Sequence, residues 1–130
     1  MLEEHGRVNL DEILEEVQGA ASIDKAIDRI AAWATRSSRR GNWPLLILEY
    51  SRIAQPEDTF RKSQEKVLRA QWKALGKVLL QFDVMLDVKP EVLGALVFEL
   101  TYAPAMSFVS KPTSGDLLRV ALRGLFGAAR

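Results

Sequence analysis

The sequence predicts an all-α domain, an antiparallel bundle of about six helices, on three observations. Apolar residues recur at i, i+3, i+4 and i+7 through most of the chain, the spacing that gathers them on one helix face. Capping residues and prolines stand at the ends of those stretches. No stretch reads convincingly as a strand.

A chain of 130 residues corresponds to a single domain spanning residues 1–130. With 48% hydrophobic and 27% charged residues it is too apolar to remain unfolded. A formal net charge of +1 provides neither a basic field for nucleic acid nor an acidic one to mimic it. The apolar runs Leu45 to Leu48 and Val92 to Phe98 fall far short of the roughly 20 residues of a membrane span. The acidic start is unlike a signal peptide. With no cysteine in the chain, a reducing, cytoplasmic location is expected.

Each helix has its own start and stop. Asn9 and Glu12 form a capping-box pair with Val8 and Ile13 as a staple, which predicts a helix from about Leu10 burying Leu10, Ile13, Leu14 and Val17. Ser22 caps a second helix that turns Ile23, Ala26, Ile27, Ile30 and Ala34 inward, and Arg36, Arg39 and Arg40 precede a stop at Gly41. A third runs from Asn42, with Pro44 in its first turn, to Ala54. Pro56, Glu57 and Asp58 open a long fourth helix whose stripe runs from Phe60 through Leu75, Val78 and Phe82 to Met85. Gly76 weakens it slightly. Pro90 opens a fifth, which Pro104 is expected to kink. Thr113 and Asp116 form a second capping box ahead of a sixth helix ending near Ala128.

Several chemistries lack their residues. The single histidine, His5, and the absence of cysteine leave no metal cluster and no Ser/His or Cys/His catalytic pair. The eight glycines are dispersed, with no phosphate-loop spacing. No catalytic residue, metal or cofactor is therefore expected, and the chain reads as a binding protein. Glu99, among Ala95, Leu96, Tyr102 and Ala103, is the carboxylate most suited to face a ligand. Glu49 is a weaker one, because Arg52 at i+3 can satisfy it. Each aromatic residue taken alone is ordinary core. As a set they can line a cavity, since Tyr and Trp carry a polar atom that needs a partner when buried.

The last two helices are apolar nearly all round, whereas a helix on a monomer's surface needs one apolar stripe. A symmetric homodimer is therefore expected. Leu93, Val97, Leu118, Ala121, Leu122, Leu125 and Phe126 are expected to hold it, with Gly94 and Gly124 allowing close approach.

In this order of elements the chain resembles the C-terminal regulatory domain of TetR-type transcriptional repressors over nearly its whole length. The resemblance rests on the helix Ser22 to Arg40, the segment NWPLLILEYSRIA at Asn42 to Ala54, the long helix from Pro56, and the terminal pair PEVLGALVFELTYAPAMSFVS and PTSGDLLRVALRGLFGAAR. It implies middle helices surrounding a pocket for a small apolar effector, and final helices packing on the same pair of another subunit as a four-helix bundle. The pocket residues it suggests are Trp33, Leu46, Tyr50, Trp72, Phe98, Glu99 and Tyr102. The family's helix-turn-helix headpiece has no counterpart before Ser22, where Asn9 to Ala20 resembles only the helix that joins headpiece to core. DNA binding is accordingly expected to require a headpiece that this chain lacks. A second reading stays open: a helical module whose apolar terminal helices dock a different protein and take no small ligand.

Overall fold

The computed structural model describes residues 2–38, 58–106 and 110–127, which form five α-helices and, among the described residues, no strand. They are α1 (Leu2–Gln18), α2 (Ile23–Ser38), α3 (Asp58–Leu80), α4 (Pro90–Met106) and α5 (Ser114–Gly127). The helix expected over Asn42 to Ala54, with Leu46, Glu49 and Tyr50, lies outside the described residues.

Two boundaries differ from the sequence reading. Helix α1 begins at Leu2, so Asn9 lies within it and not at its start. Helix α3 stops at Leu80, five residues short of Met85, because Asp83 builds a turn: its carboxylate accepts the Met85 N–H at 3.2 Å and its carbonyl accepts the Leu86 N–H. Helix α4 contains Pro104, as expected, and runs to Met106.

Other signals stand as read. Ser22 Oγ accepts the Lys25 N–H at 3.3 Å at the start of α2. The Thr113 N–H donates to Asp116 Oδ2 at 2.9 Å while the Asp116 N–H donates to Thr113 Oγ1 at 3.1 Å, a reciprocal capping box. Hydrogen bonds to the carboxylate from Thr113, its backbone N–H first and its hydroxyl second, hold the Asp116 carboxyl below its usual range.

The helices close a ring: α1 packs on α2 and α3, α3 on α4, α4 on α5, and α5 on α2, with α2 also meeting α4 across it. The core combines Ile13 and Val17 of α1, Ile23, Ala26, Ile27, Ile30, Trp33 and Ala34 of α2, Leu75 and Leu79 of α3, Leu93 and Val97 of α4, and Leu118, Leu122 and Phe126 of α5. Each of the larger residues contributes about 1.5–3 kcal/mol by leaving water. Surface ion pairs join neighbouring helices, Arg36 to Glu16, Arg69 to Glu91, and Arg119 with Arg123 to Asp28. All are solvent-exposed and contribute only about 0.2–1 kcal/mol each.

The most extensive contact, α3 on α4, is made backbone to backbone. A Cβ on Gly76 would overlap the Pro90 carbonyl, and one on Gly94 would overlap the carbonyl of Trp72. Four residues back along α3 correspond to four forward along α4, so the two helices run antiparallel. Gly76 thus serves the packing that its low helix propensity would otherwise weaken.

Gly76→Ala and Gly94→Ala are each expected to lower unfolding stability by at least about 2 kcal/mol, since backbone cannot step aside for the added methyl. Urea unfolding reads this directly, and a neutral effect at either position would refute the contact. The capping box makes a pH-dependent prediction. A carboxyl depressed in the folded state stabilises above its unfolded pKa and loses that contribution as pH falls through the folded value. Asp116→Asn should therefore be less stable than wild type at neutral pH and equal to it in strong acid, as measured by thermal melts across pH.

Candidate functional site

Trp33 stands at the centre of the bundle. It is fully buried on α2, and its indole ring meets Phe98 of α4 edge-on, with centroids 6.1 Å apart and planes at 90°, the preferred geometry of an aromatic pair. Its Nε1–H donates to Glu12 Oε2 of α1 at 3.3 Å. Three helices therefore meet through one side chain, and its only polar atom is satisfied.

The residues expected to line a pocket divide accordingly. Trp33 and Phe98 are brought together. Trp72 is half-buried on α3, its backbone beneath Gly94, and Tyr102 is half-buried on α4. Leu46 and Tyr50 lie outside the described residues. Glu99 does not face the interior. It is exposed, because the inward line of α4 is Leu93, Gly94, Val97 and Thr101, and a residue two beyond Val97 points to the opposite side.

The dimer residues divide as well. Leu93, Val97, Leu118, Leu122 and Phe126 are at most 1% exposed in the single chain, and Gly94 is buried against Trp72. They belong to the chain's own core and have no surface left for a second copy. Ala121 and Leu125 are half-buried and Gly124 is exposed, with nothing within 4 Å of where a Cβ would stand. The outward faces still carry apolar side chains: Val92 is 57% and Val120 77% exposed, with Ala95, Leu96 and Leu117 half-buried beside them.

Sequence reasoning missed the polar groups that tie the helices together. Glu12, expected to reach back to Asn9, accepts from Trp33. Gly115 sits on Thr35, its N–H donating to Thr35 Oγ1 at 3.2 Å. Ser114 Oγ donates to the Thr101 carbonyl, and Thr101 Oγ1 to the Val97 carbonyl at 2.7 Å. The only available signal was small hydroxyl residues interrupting apolar faces, as at Ser37 after Ile23 and Ile30.

Among the described residues no three His, Asp or Glu side chains are grouped to hold a metal ion, and no helix is long and apolar enough to cross a membrane. Compared with known proteins, the chain matches no family model, no curated protein and no solved structure.

Removing the acceptor of a buried indole N–H leaves a desolvated donor, at a cost of about 1–3 kcal/mol. Glu12→Ala is therefore expected to lose roughly that much stability, and Glu12→Gln, which keeps an acceptor oxygen, markedly less. Equal losses in urea unfolding would show that the bond to Trp33 does not matter.

Proposed function

We propose that the chain is the ligand-sensing and dimerisation domain of a TetR-like transcriptional regulator in the cytoplasm, binding a small apolar effector internally and catalysing nothing. The observation that carries this reading is the apolar outer surface of α4 and α5. With the core already filled from their inner faces, Val92 and Val120 remain largely exposed. On α5, Leu117, Val120, Ala121 and Gly124 share the side away from Leu122 and Phe126, while Arg119 and Arg123 turn to Asp28 of α2. Apolar surface left in water costs about 25 cal/mol per Å², and a two-fold axis allows one such patch to cover itself. On this reading the effector lies near Trp33 and Phe98, and DNA is contacted through a headpiece outside these residues.

A second reading, a helical module that docks a different protein, is favoured by one further observation. Val84 and Met85, 82% and 87% exposed, stand side by side on the turn between α3 and α4.

Light scattering at micromolar concentration separates the two readings. The regulator reading gives twice the 14.6 kDa of the chain, from a contact burying more than about 1,000 Å² in total. Val120→Asp should then yield a folded monomer with unchanged helical circular dichroism. Leu122→Glu should instead unfold the protein, since Leu122 is core. A soluble wild-type monomer would refute the dimer and favour the docking module.

A further inference from the structure

The hydroxyl groups where the end of α2 meets α4 and α5 are nearly all accounted for. Thr35 Oγ1 donates to the Ala31 carbonyl at 3.1 Å and accepts from Gly115 N–H, and Ser38 Oγ donates to the Thr35 carbonyl at 3.1 Å. Thr101 and Ser114 donate to backbone carbonyls of α4. Ser37 is the exception. It is 2% exposed, and among the described residues its Oγ is the one buried side-chain oxygen or nitrogen without a hydrogen-bond partner.

Its position makes the omission informative. Ile23, Ile30 and Ser37 are spaced by seven along the buried face of α2, so a hydroxyl occupies a place where the two preceding positions hold isoleucine. Trp33 lies at i−4, the neighbour one turn away on the same face. An alanine would fit this helix better and leave no orphan. Native proteins satisfy nearly all their buried polar atoms, so an exception asks for an explanation, and a bound partner is one that fits a buried hydroxyl.

We propose that Ser37 is the hydrogen-bonding anchor of a bound small molecule. Its hydroxyl donates to an acceptor, such as a carbonyl oxygen, at the polar end of the ligand, and the ligand's apolar body extends toward Trp33 and Phe98. This rests on the sensing function proposed above and adds a ligand class to it: an apolar body bearing one acceptor, in place of a plain hydrocarbon. It also marks as specificity-determining a residue outside the set of aromatic and carboxylate side chains expected to line the pocket.

The test uses a matched pair of probes, acetophenone and ethylbenzene, alike in size and differing in the carbonyl, with calorimetric titration and thermal melts of the whole chain and of Ser37→Ala. Without ligand, Ser37→Ala should melt at or above the wild-type temperature, because it removes an unsatisfied group. Acetophenone should bind wild type more tightly than ethylbenzene does, and Ser37→Ala should weaken acetophenone by about five- to tenfold, the loss of one neutral hydrogen bond. Ethylbenzene should bind both proteins alike. A fall of several degrees in unliganded Ser37→Ala would overturn the proposal by showing that the hydroxyl has a partner within the chain. Equal acetophenone affinity in both proteins would remove the anchor and leave the sensing function standing. Failure of both probes to bind wild type would remove both.

Discussion

The rest of the structure depends on the contact between the α3 and α4 backbones at Gly76 and Gly94. Side chains normally hold packed helices 8–10 Å apart at their axes, but here the carbonyls of Pro90 and Trp72 occupy the space where a Cβ would stand. That contact fixes the rotation of α4 as well as its distance. With Gly94 against α3, Leu93, Val97 and Thr101 face inward, Phe98 reaches Trp33, and Val92 and Glu99 are left outside. One backbone contact therefore decides which apolar residues of α4 become core and which remain as surface.

The opposite wall of the ring is held by different means. Where α3 and α4 approach backbone to backbone at two glycines, α2 is joined to α5 and α4 to α5 through small hydroxyls: Thr35 under Gly115, and Ser114 on the Thr101 carbonyl. No side chain fits at the first of these places, because a Cβ on Gly115 would lie 2.6 Å from Thr35 Oγ1 and 2.7 Å from the Ala31 carbonyl. The first bond satisfies the Gly115 N–H at the N-terminus of α5, where a helix has donors without intrahelical partners, and the second ties Ser114 of α5 to a carbonyl of α4. Trp33 then sits between the two walls, tied to α1 through Glu12 and to α4 through Phe98. The central aromatic residue is thus fixed by a polar bond on one side and ring packing on the other.

What was legible in the sequence follows from where its signals had a phase. Helix α2 has one apolar stripe, so Ile23, Ala26, Ile27, Ile30 and Ala34 could be placed inward, and they are buried. The Thr113 and Asp116 cap is equally local and forms as read. Helices α4 and α5 are apolar on most sides, and such a pattern names no inward direction. Leu93, Val97, Leu118, Leu122 and Phe126 could therefore be read as interface when they are core, and Glu99 as inward when it is exposed. The rotation that settles these assignments comes from Gly76 and Gly94, whose partners are distant in sequence. The partnership of Glu12 with Trp33 was hidden for a related reason: a good local capping pattern at Asn9 competed with a tertiary bond, and α1 extends past the cap.

The glycines also separate what the chain explains by itself from what it does not. Gly76, Gly94 and Gly115 each lie against backbone atoms of another helix that a side chain would strike. Gly124 lies inside α5, is exposed, and has nothing within 4 Å of its missing Cβ. A glycine in such a position costs about 0.5–1 kcal/mol relative to alanine, and no contact among the described residues offsets it. It shares its side of α5 with Val120, which is 77% exposed and is itself a poorer helix former than alanine. Two residues that are unfavourable for an isolated helix in water, one for lack of a side chain and one for an apolar one, are both suited to a helix that another backbone approaches closely. Gly94 provides that geometry for α3, and the proposed dimer would repeat it on the outer face of α5.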